Sequence, residues 1–373
     1  MKTVGIGMLG AGFIGQMHSL AFKAAAQAKA NPRIGARFVA LADVSGQFDD
    51  IRERFEWESV SRDWRDIFST PGVDLFVNAG PNSAHAEPVA AAAAKGIPVF
   101  CEKPLARTAN EAFDIWQSVE TRGVPHMCAF VHRFVPALQL MRQMIQQGDI
   151  GDVRHFRSDF LMDMKEGEAP LSWRFSRNVA GGGASADLGS HHIDQARFLV
   201  GEIASVVAMT RTWTKARAPS FGEVNDDWMG CVAELEQGAT AVFEAARTAD
   251  GHALTGRIEV DGTRGTLAWD MTRVSEIVHR EPKKGMRTFS ATMQEHPYSD
   301  FWLPVGIQGA FAVGWRDSFY YQARHVLSAV AGGTPIAPLA ATFRDGYRVA
   351  EIVDAILESA ASGQRKDVVF RGA

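Results

Sequence analysis

Cysteine is scarce in this sequence: Cys101, Cys128 and Cys231 are the only three among 373 residues. An odd, scattered set builds no disulfide framework and fits reduced interior thiols, which points to the cytoplasm. No uninterrupted apolar run approaches the ~20 residues needed to cross a bilayer, so no membrane association is expected. The first apolar run starts at Thr3, leaving no stretch for a signal peptide ahead of it. Excess positive charge is missing too. A formal net charge of −4 gives no basic footprint for nucleic acid. Internal repeats and low-complexity segments are also absent. What remains is an ordinary globular composition, 46% hydrophobic and 22% charged, long enough for two domains of about 150 residues each.

The most informative stretch is Thr3 to Gly15. A short apolar run, suited to a buried parallel strand, ends abruptly in Gly10-Ala11-Gly12-Phe13-Ile14-Gly15, which fits G-x-G-x-x-G. In a strand–turn–helix unit Gly10 makes the tight turn, Gly12 lets backbone approach a pyrophosphate, and Gly15 lets the helix lie close to the strand. The following helix, expected through Ala30 and closed by Asn31-Pro32, would aim its free N–H groups at the phosphates. A second strand, Arg37 to Asp43, ends on an acid 28 residues after Gly15, a longer interval than the usual ~20. Asp43 can accept hydrogen bonds from ribose hydroxyls and repel a 2′-phosphate, which favours NAD over NADP. Its other role is a turn-former before Ser45-Gly46.

A short helix at Trp64–Phe68 and a strand at Val73–Asn78 follow. The turn Gly80-Pro81-Asn82 opens an alanine-rich helix from Ser83 to Lys95, and Ile97–Cys101 resumes the sheet, followed at once by Glu102-Lys103-Pro104. Alternating strands and helices predict an α/β, doubly wound Rossmann domain. Ligands on such sheets bind at the carboxyl ends of the strands, where Gly12, Asn78 and Lys103 would meet. The glycine loop, Pro81-Asn82-x-x-His85 and Glu102-Lys103-Pro104 together resemble the glucose–fructose oxidoreductase, inositol dehydrogenase and MocA family in order and spacing. One departure is Gly80, where the family often has Thr. The resemblance implies NAD as cofactor, held by the glycine loop from Gly10 to Gly15 with Phe13 and Ile14, and by Asp43, Asn78, Pro81, Asn82, His85, Glu102 and Lys103. It also places Lys103 beside the nicotinamide and the reacting hydroxyl. An ammonium there can polarise a substrate oxygen.

A helix at Asn110–Arg122 and a strand at His126–Phe130 complete the first domain, residues 1–130. The second, 131–373, opens on His132, either a substrate contact or a packed interdomain histidine, and a helix from Val135 to Gln147. From Val153 strand patterns dominate: 153–162, 205–213, 229–236, 240–246, 257–260 and 266–269. They predict a C-terminal α+β domain with a large, mainly antiparallel open sheet, one face under helices and the other hydrated or covered by another subunit. The family pairs such sheets into dimers or tetramers. Phe311–Ser328 and Arg344–Ser362 read as helices, and Val368–Phe370 as a closing strand.

Within this domain Gly181-Gly182-Gly183 opens a helix expected to reach Leu199. Asp187, His191 and Asp194 stand at i, i+4 and i+7, one helical face, with His192 turned about 100° away. No Cys- or Glu-rich partner completes a metal site. A capping Asp187 with a satisfied His191 is one reading, and acid–base chemistry is the other. The family carries the same D-x-x-x-H-x-x-D pattern with the histidine as acid/base, which implies that His191 takes the hydroxyl proton. Asp187 and Asp194 would divide orientation of the ring and substrate binding. Trp173-Arg174 resemble family positions lining a sugar site. The implied activity is an NAD-dependent dehydrogenase acting on a secondary hydroxyl of a sugar, polyol or inositol. Its rivals are a glycosidase using NAD transiently and a non-catalytic NAD-binding regulator.

Overall fold

The apolar run after Lys2 becomes the central strand of a parallel sheet because both its faces are covered. In the computed structural model, which describes residues 2–27, 33–164, 172–213, 222–291 and 313–372, β1 (Lys2–Leu9) lies between β2 (Ile34–Ala42) and β4 (Leu75–Asn78). With β3 (Ser59–Ser61), β5 (Val99–Cys101) and β6 (His126–Cys128) the order is β3-β2-β1-β4-β5-β6, all parallel. Each strand is joined to the next by a crossover. α1 (Phe13–Gln27) and α2 (Asp49–Phe55) follow the first two strands, and α3 (Arg65–Ser69), α4 (Ala86–Ala94) and α5 (Ala109–Glu120) follow the next. Phe22, Phe76 and Phe100 are fully buried in this domain, each contributing roughly 1.5–3 kcal/mol of burial. The end of the first helix, expected at Ala30–Pro32, lies outside the described residues.

After a 3-10 turn at Val131–Phe134, α6 (Pro136–Gln146) leads to the second sheet. Its nine strands are β7 (Val153–Leu161), β8 (Ile203–Arg211), β9 (Trp228–Leu235), β10 (Thr240–Ala246), β11 (Thr255–Gly262), β12 (Thr266–Asp270), β13 (Glu276–Glu281), β14 (Gly285–Ser290) and β15 (Lys366–Asp367). They run β14-β13-β12-β11-β7-β10-β9-β8-β15, antiparallel except between β7 and β10. Between β7 and β8 stand α7 (Arg177–Ala180), α8 (Ala184–Asp187) and α9 (Gly189–Val200). Strict alternation sends Met229, Cys231, Phe243 and Phe156 into the core and leaves Val207, Val232 and Val242 exposed in one row across three paired strands. Among the described residues, none of the helices is long and apolar enough to cross a membrane.

Four expectations change. The hairpin of β13 and β14 carries too many charged residues to stand out as strands. The closing strand is Lys366–Asp367, paired with β8 at Val206 and Ser205, and Val368–Phe370 is not a strand. The helix expected from Phe311 starts at Asp317: α10 (Asp317–Gly332) ends on Gly333 in the left-handed region, while residues 311–312 lie outside the described set. α10 also returns to the first domain. Its Phe319, Tyr321, Val326 and Leu327 join the core formed by Val4, Ile6 and Phe22. α11 (Phe343–Ser362), started by a Thr342/Asp345 capping box, packs against α5 and β8. Finally, the long helix expected after the glycines is two helices interrupted at Leu188, with consequences for the site.

Candidate active site

At the carboxyl edge of the parallel sheet the chain turns at Gly10, whose φ of +106° suits glycine. A side chain there would also meet the Ala79 carbonyl at 2.5 Å. At Gly15 a Cβ would lie 2.0 Å from the Gly10 carbonyl oxygen, so helix and loop touch. Above Gly12 the space is open, with no atom within 4 Å of where a Cβ would sit. Phe13 stands exposed beside it. Asp43 braces this loop. Its Oδ2 accepts from Ala11 N–H at 2.8 Å and its Oδ1 from Ser45 N–H at 2.8 Å. Burial raises its pKa, but the hydrogen bonds from Ala11 and Ser45 prevail and bring it below the usual carboxylate value. The turn-forming role is thus present, and each oxygen keeps a lone pair.

The neighbouring motif residues divide into those that face the cleft and those that support it. Asn82 faces it, and donates to the Ala180 carbonyl at 2.7 Å, tying the two domains together. Asn78 and His85, expected as cofactor contacts, do not open onto the cleft. Asn78 accepts from Gly80 N–H and donates to the Ala84 carbonyl, shaping the turn around Pro81. His85 is fully buried with its ring nitrogens 3.0 Å from the Leu105 carbonyl and 3.2 Å from that of Gly80. It pins the turn to the segment that follows Lys103. Glu102 is held by His18, 2.7 Å away, and accepts from Lys103 N–H at 3.0 Å. Burial raises its pKa, but His18 and Lys103 outweigh that and lower it.

The cleft itself, about 320 Å³, runs between this edge and the second domain. Lys103 Nζ reaches across to Asp187, 3.0 Å from Oδ1 and 2.8 Å from its backbone carbonyl. Burial raises the pKa of Asp187, but the charges of Lys103, Arg174 and Arg247 dominate and hold it down at about 2. The glycine turn before it is fixed by residues that no local motif reveals. Asp226 accepts from Gly183 N–H, Ser185 N–H and the Ser185 hydroxyl, and buried Arg247 bonds Asn225 and the carbonyls of Asp226 and Arg174. Trp173 and Arg174 wall the cleft, the guanidinium carbon 4.6 Å from the indole centroid.

The break at Leu188 separates the expected trio. Asp187 and His191 face the cleft, but Asp194 turns into the protein, where Arg133 Nη2 binds its Oδ1 at 2.6 Å and Arg133 Nε its Oδ2 at 2.9 Å. Asp194 is therefore a buried charge partner, and the expected substrate role falls away. His132 does not line the cleft either. It stands behind His191, Nδ1 to Nδ1 at 3.2 Å, with Trp315 Nε1 3.3 Å from its other nitrogen. His191 lines the cleft, and with its Nδ1 on His132 its Nε2 has no hydrogen-bond partner among the described residues. Burial, with the Lys103 charge, pushes the pKa of His132 down to about 3 and that of His191 well below its ordinary value. His192 packs edge-on against Phe160, and neither ring nitrogen has a hydrogen-bond partner among the described residues.

A larger concavity, about 520 Å³, lies on the open face of the second sheet among Arg157, Glu259 and Arg280. It contains none of the motif residues, so the chemistry belongs to the smaller cleft. No group of three or more metal-ligating side chains occurs among the described residues.

A glycine-turn nucleotide domain facing a second domain across a lysine- and histidine-lined cleft is the architecture of a dinucleotide-dependent oxidoreductase. A model of the oxidoreductase family with an NAD-binding Rossmann fold matches residues 4–130, and one of the GFO/IDH/MocA C-terminal domain matches residues 138–268. Levoglucosan dehydrogenase of Pseudarthrobacter phenanthrenivorans is 33% identical over 405 aligned positions, covering 99% of each chain. The NAD(+)-dependent scyllo-inositol 2-dehydrogenase of Bacillus subtilis is 30% identical over 62% of this chain and 66% of its own length. The solved structure of levoglucosan dehydrogenase with NADH and levoglucosan matches at 33% identity with a TM-score of 0.90, covering 98% of this chain and 100% of that one. The chain belongs to the Gfo/Idh/MocA oxidoreductase family, and its cofactor is NAD.

Proposed function

We propose that this protein oxidises a secondary hydroxyl of a sugar, polyol or inositol. The observation that carries the proposal is the meeting of Lys103, Asp187 and His191 in one cleft at the carboxyl edge of the nucleotide-binding sheet. The residues present suit the dinucleotide. Open space above Gly12, the first amides of α1 and the remaining acceptor capacity of Asp43 match a pyrophosphate and a ribose. When bound, NAD supplies the acceptor for hydride from the carbinol carbon.

Lys103 turns its nitrogen toward the oxygen on that carbon and favours negative charge there. Asp187 holds the lysine by two contacts, and His191 Nε2 addresses the same oxygen from the other domain. Trp173 offers an aromatic face to the apolar side of a pyranose, and Arg174 supplies fixed donors. A cleft of about 320 Å³ suits one compact ring. By their names two relatives act on levoglucosan and scyllo-inositol, ligands of that size. Three buried free thiols support a reducing, cytoplasmic setting. The exposed row Val207–Val232–Val242 supports pairing of the open sheet with a second copy, in a dimer or tetramer. Light scattering measures that state.

The test of function is a panel of anhydrosugars, inositols, aldoses and aryl glycosides. Each is scored for NADH absorbance and for released aglycone. NADH formation with one or more cyclic polyols supports the proposal, and aglycone release without it favours the redox glycosidase.

A further inference from the structure

Three rings form a chain that leads into the cleft: Trp315 Nε1 to His132 Nε2 at 3.3 Å, then His132 Nδ1 to His191 Nδ1 at 3.2 Å. An indole nitrogen can only donate. His132 Nε2 must therefore carry a lone pair, and a neutral His132 keeps its one proton on Nδ1. That proton points at His191 Nδ1, which has to accept it. The proton of a neutral His191 is left on Nε2, the nitrogen of this cleft-lining ring that has no hydrogen-bond partner among the described residues. The opposite arrangement would set His132 Nε2–H against the indole N–H, two donors facing one another. A cationic His132 meets the same conflict. Burial keeps both rings neutral, with the nearby Lys103 charge acting in the same direction.

We propose that Trp315, acting through His132, holds the resting His191 in the tautomer that presents Nε2–H to the cleft, so that His191 meets the reacting oxygen as a hydrogen-bond donor. This rests on the cleft being the site of hydroxyl oxidation. Lys103, held by Asp187 Oδ1 and the Asp187 backbone carbonyl, addresses the same oxygen. Trp315 is thus a positioning residue.

Nitrogen-15 spectra of histidine-labelled protein, without substrate, read the tautomers directly. The expected pattern is a proton on His132 Nδ1 and on His191 Nε2, with lone pairs on the other two nitrogens. Trp315→Phe, and the sulfur isostere of tryptophan at position 315, remove the donor while keeping an aromatic ring. Both should release the pair into a mixture of tautomers. They should also weaken inhibition by the ketone product about fivefold, the worth of one neutral hydrogen bond, with little change in the KM of the alcohol. A native His191 protonated on Nδ1, or tautomers unmoved by both replacements, would overturn the proposal. Unchanged ketone inhibition with shifted tautomers would overturn the role of His191 as donor to the reacting oxygen. A protein that oxidises no polyol but shows the expected spectra would reject the function and leave the ring chain standing.

Discussion

Buried neutral histidines make the second domain sensitive to acid, and His192 isolates the effect. Burial pushes the pKa of His132 and of His192 down to about 3, from 6.5, with neighbouring charge adding to it. The unfolded chain takes up a proton at each ring below about pH 6.5, and the folded chain does not until about pH 3. Stability from these rings is therefore complete above the unfolded value and is lost as pH falls through that window. Each ring costs about 1.4 kcal/mol at pH 5.5, so the two together cost about 3 kcal/mol, a large share of a typical 5–15 kcal/mol. His191 shifts in the same direction and adds to the loss. His192 makes no hydrogen bond among the described residues, so His192→Leu removes one titrating ring without breaking a contact of that kind. Urea unfolding followed by tryptophan fluorescence, at about pH 7.5 and 5.5, should show the variant losing about 1.4 kcal/mol less than wild type on acidification. Equal losses in the two proteins would refute the reasoning.

Three further outcomes follow from the site. Lys103→Met should lower kcat by about 10²–10³-fold, the worth of one electrostatic group at a reacting oxygen, while NADH still binds by fluorescence titration. A near wild-type rate would remove Lys103 from the chemistry. Asp43→Ser should weaken NAD and improve the relative use of NADP, because an acceptor, a repulsive charge and the brace on Ala11 all disappear; an unchanged ratio of kcat/KM for the two cofactors would exclude a ribose contact. Asp194→Ala strands Arg133 beside Asp345 with its main partner gone and should cost about 3–5 kcal/mol in unfolding experiments. A raised KM at unchanged stability would instead restore the substrate role.

Local chemistry was legible in the sequence. The glycine turn and Glu102-Lys103-Pro104 lie on continuous chain at strand ends, and strand patterns from Val153 onward, two of them alternating, marked the second sheet. Contacts between distant residues were not. His18 and Glu102 are 84 residues apart, Arg133 and Asp194 61, and His132 and Trp315 183. The i, i+4, i+7 face failed for a physical reason. α8 is only four residues long, held by Asp226 and Arg247, and the break at Leu188 turns Asp194 away from Asp187. Asn78 and His85 stand within the motifs, but their polar atoms are spent on carbonyls and amides of the loop that they shape.

Stoichiometry tests the central claim most directly. With the best substrate from the panel, the amounts of NADH and of ketone are measured in the same reaction, by absorbance and chromatography. A carbohydrate or polyol dehydrogenase yields one NADH per ketone, accumulating to equilibrium, at a rate about 10²–10³-fold lower in Lys103→Met. Cleaved glycoside with a flat absorbance trace, or no turnover of any cyclic polyol by protein that binds NAD, would contradict it.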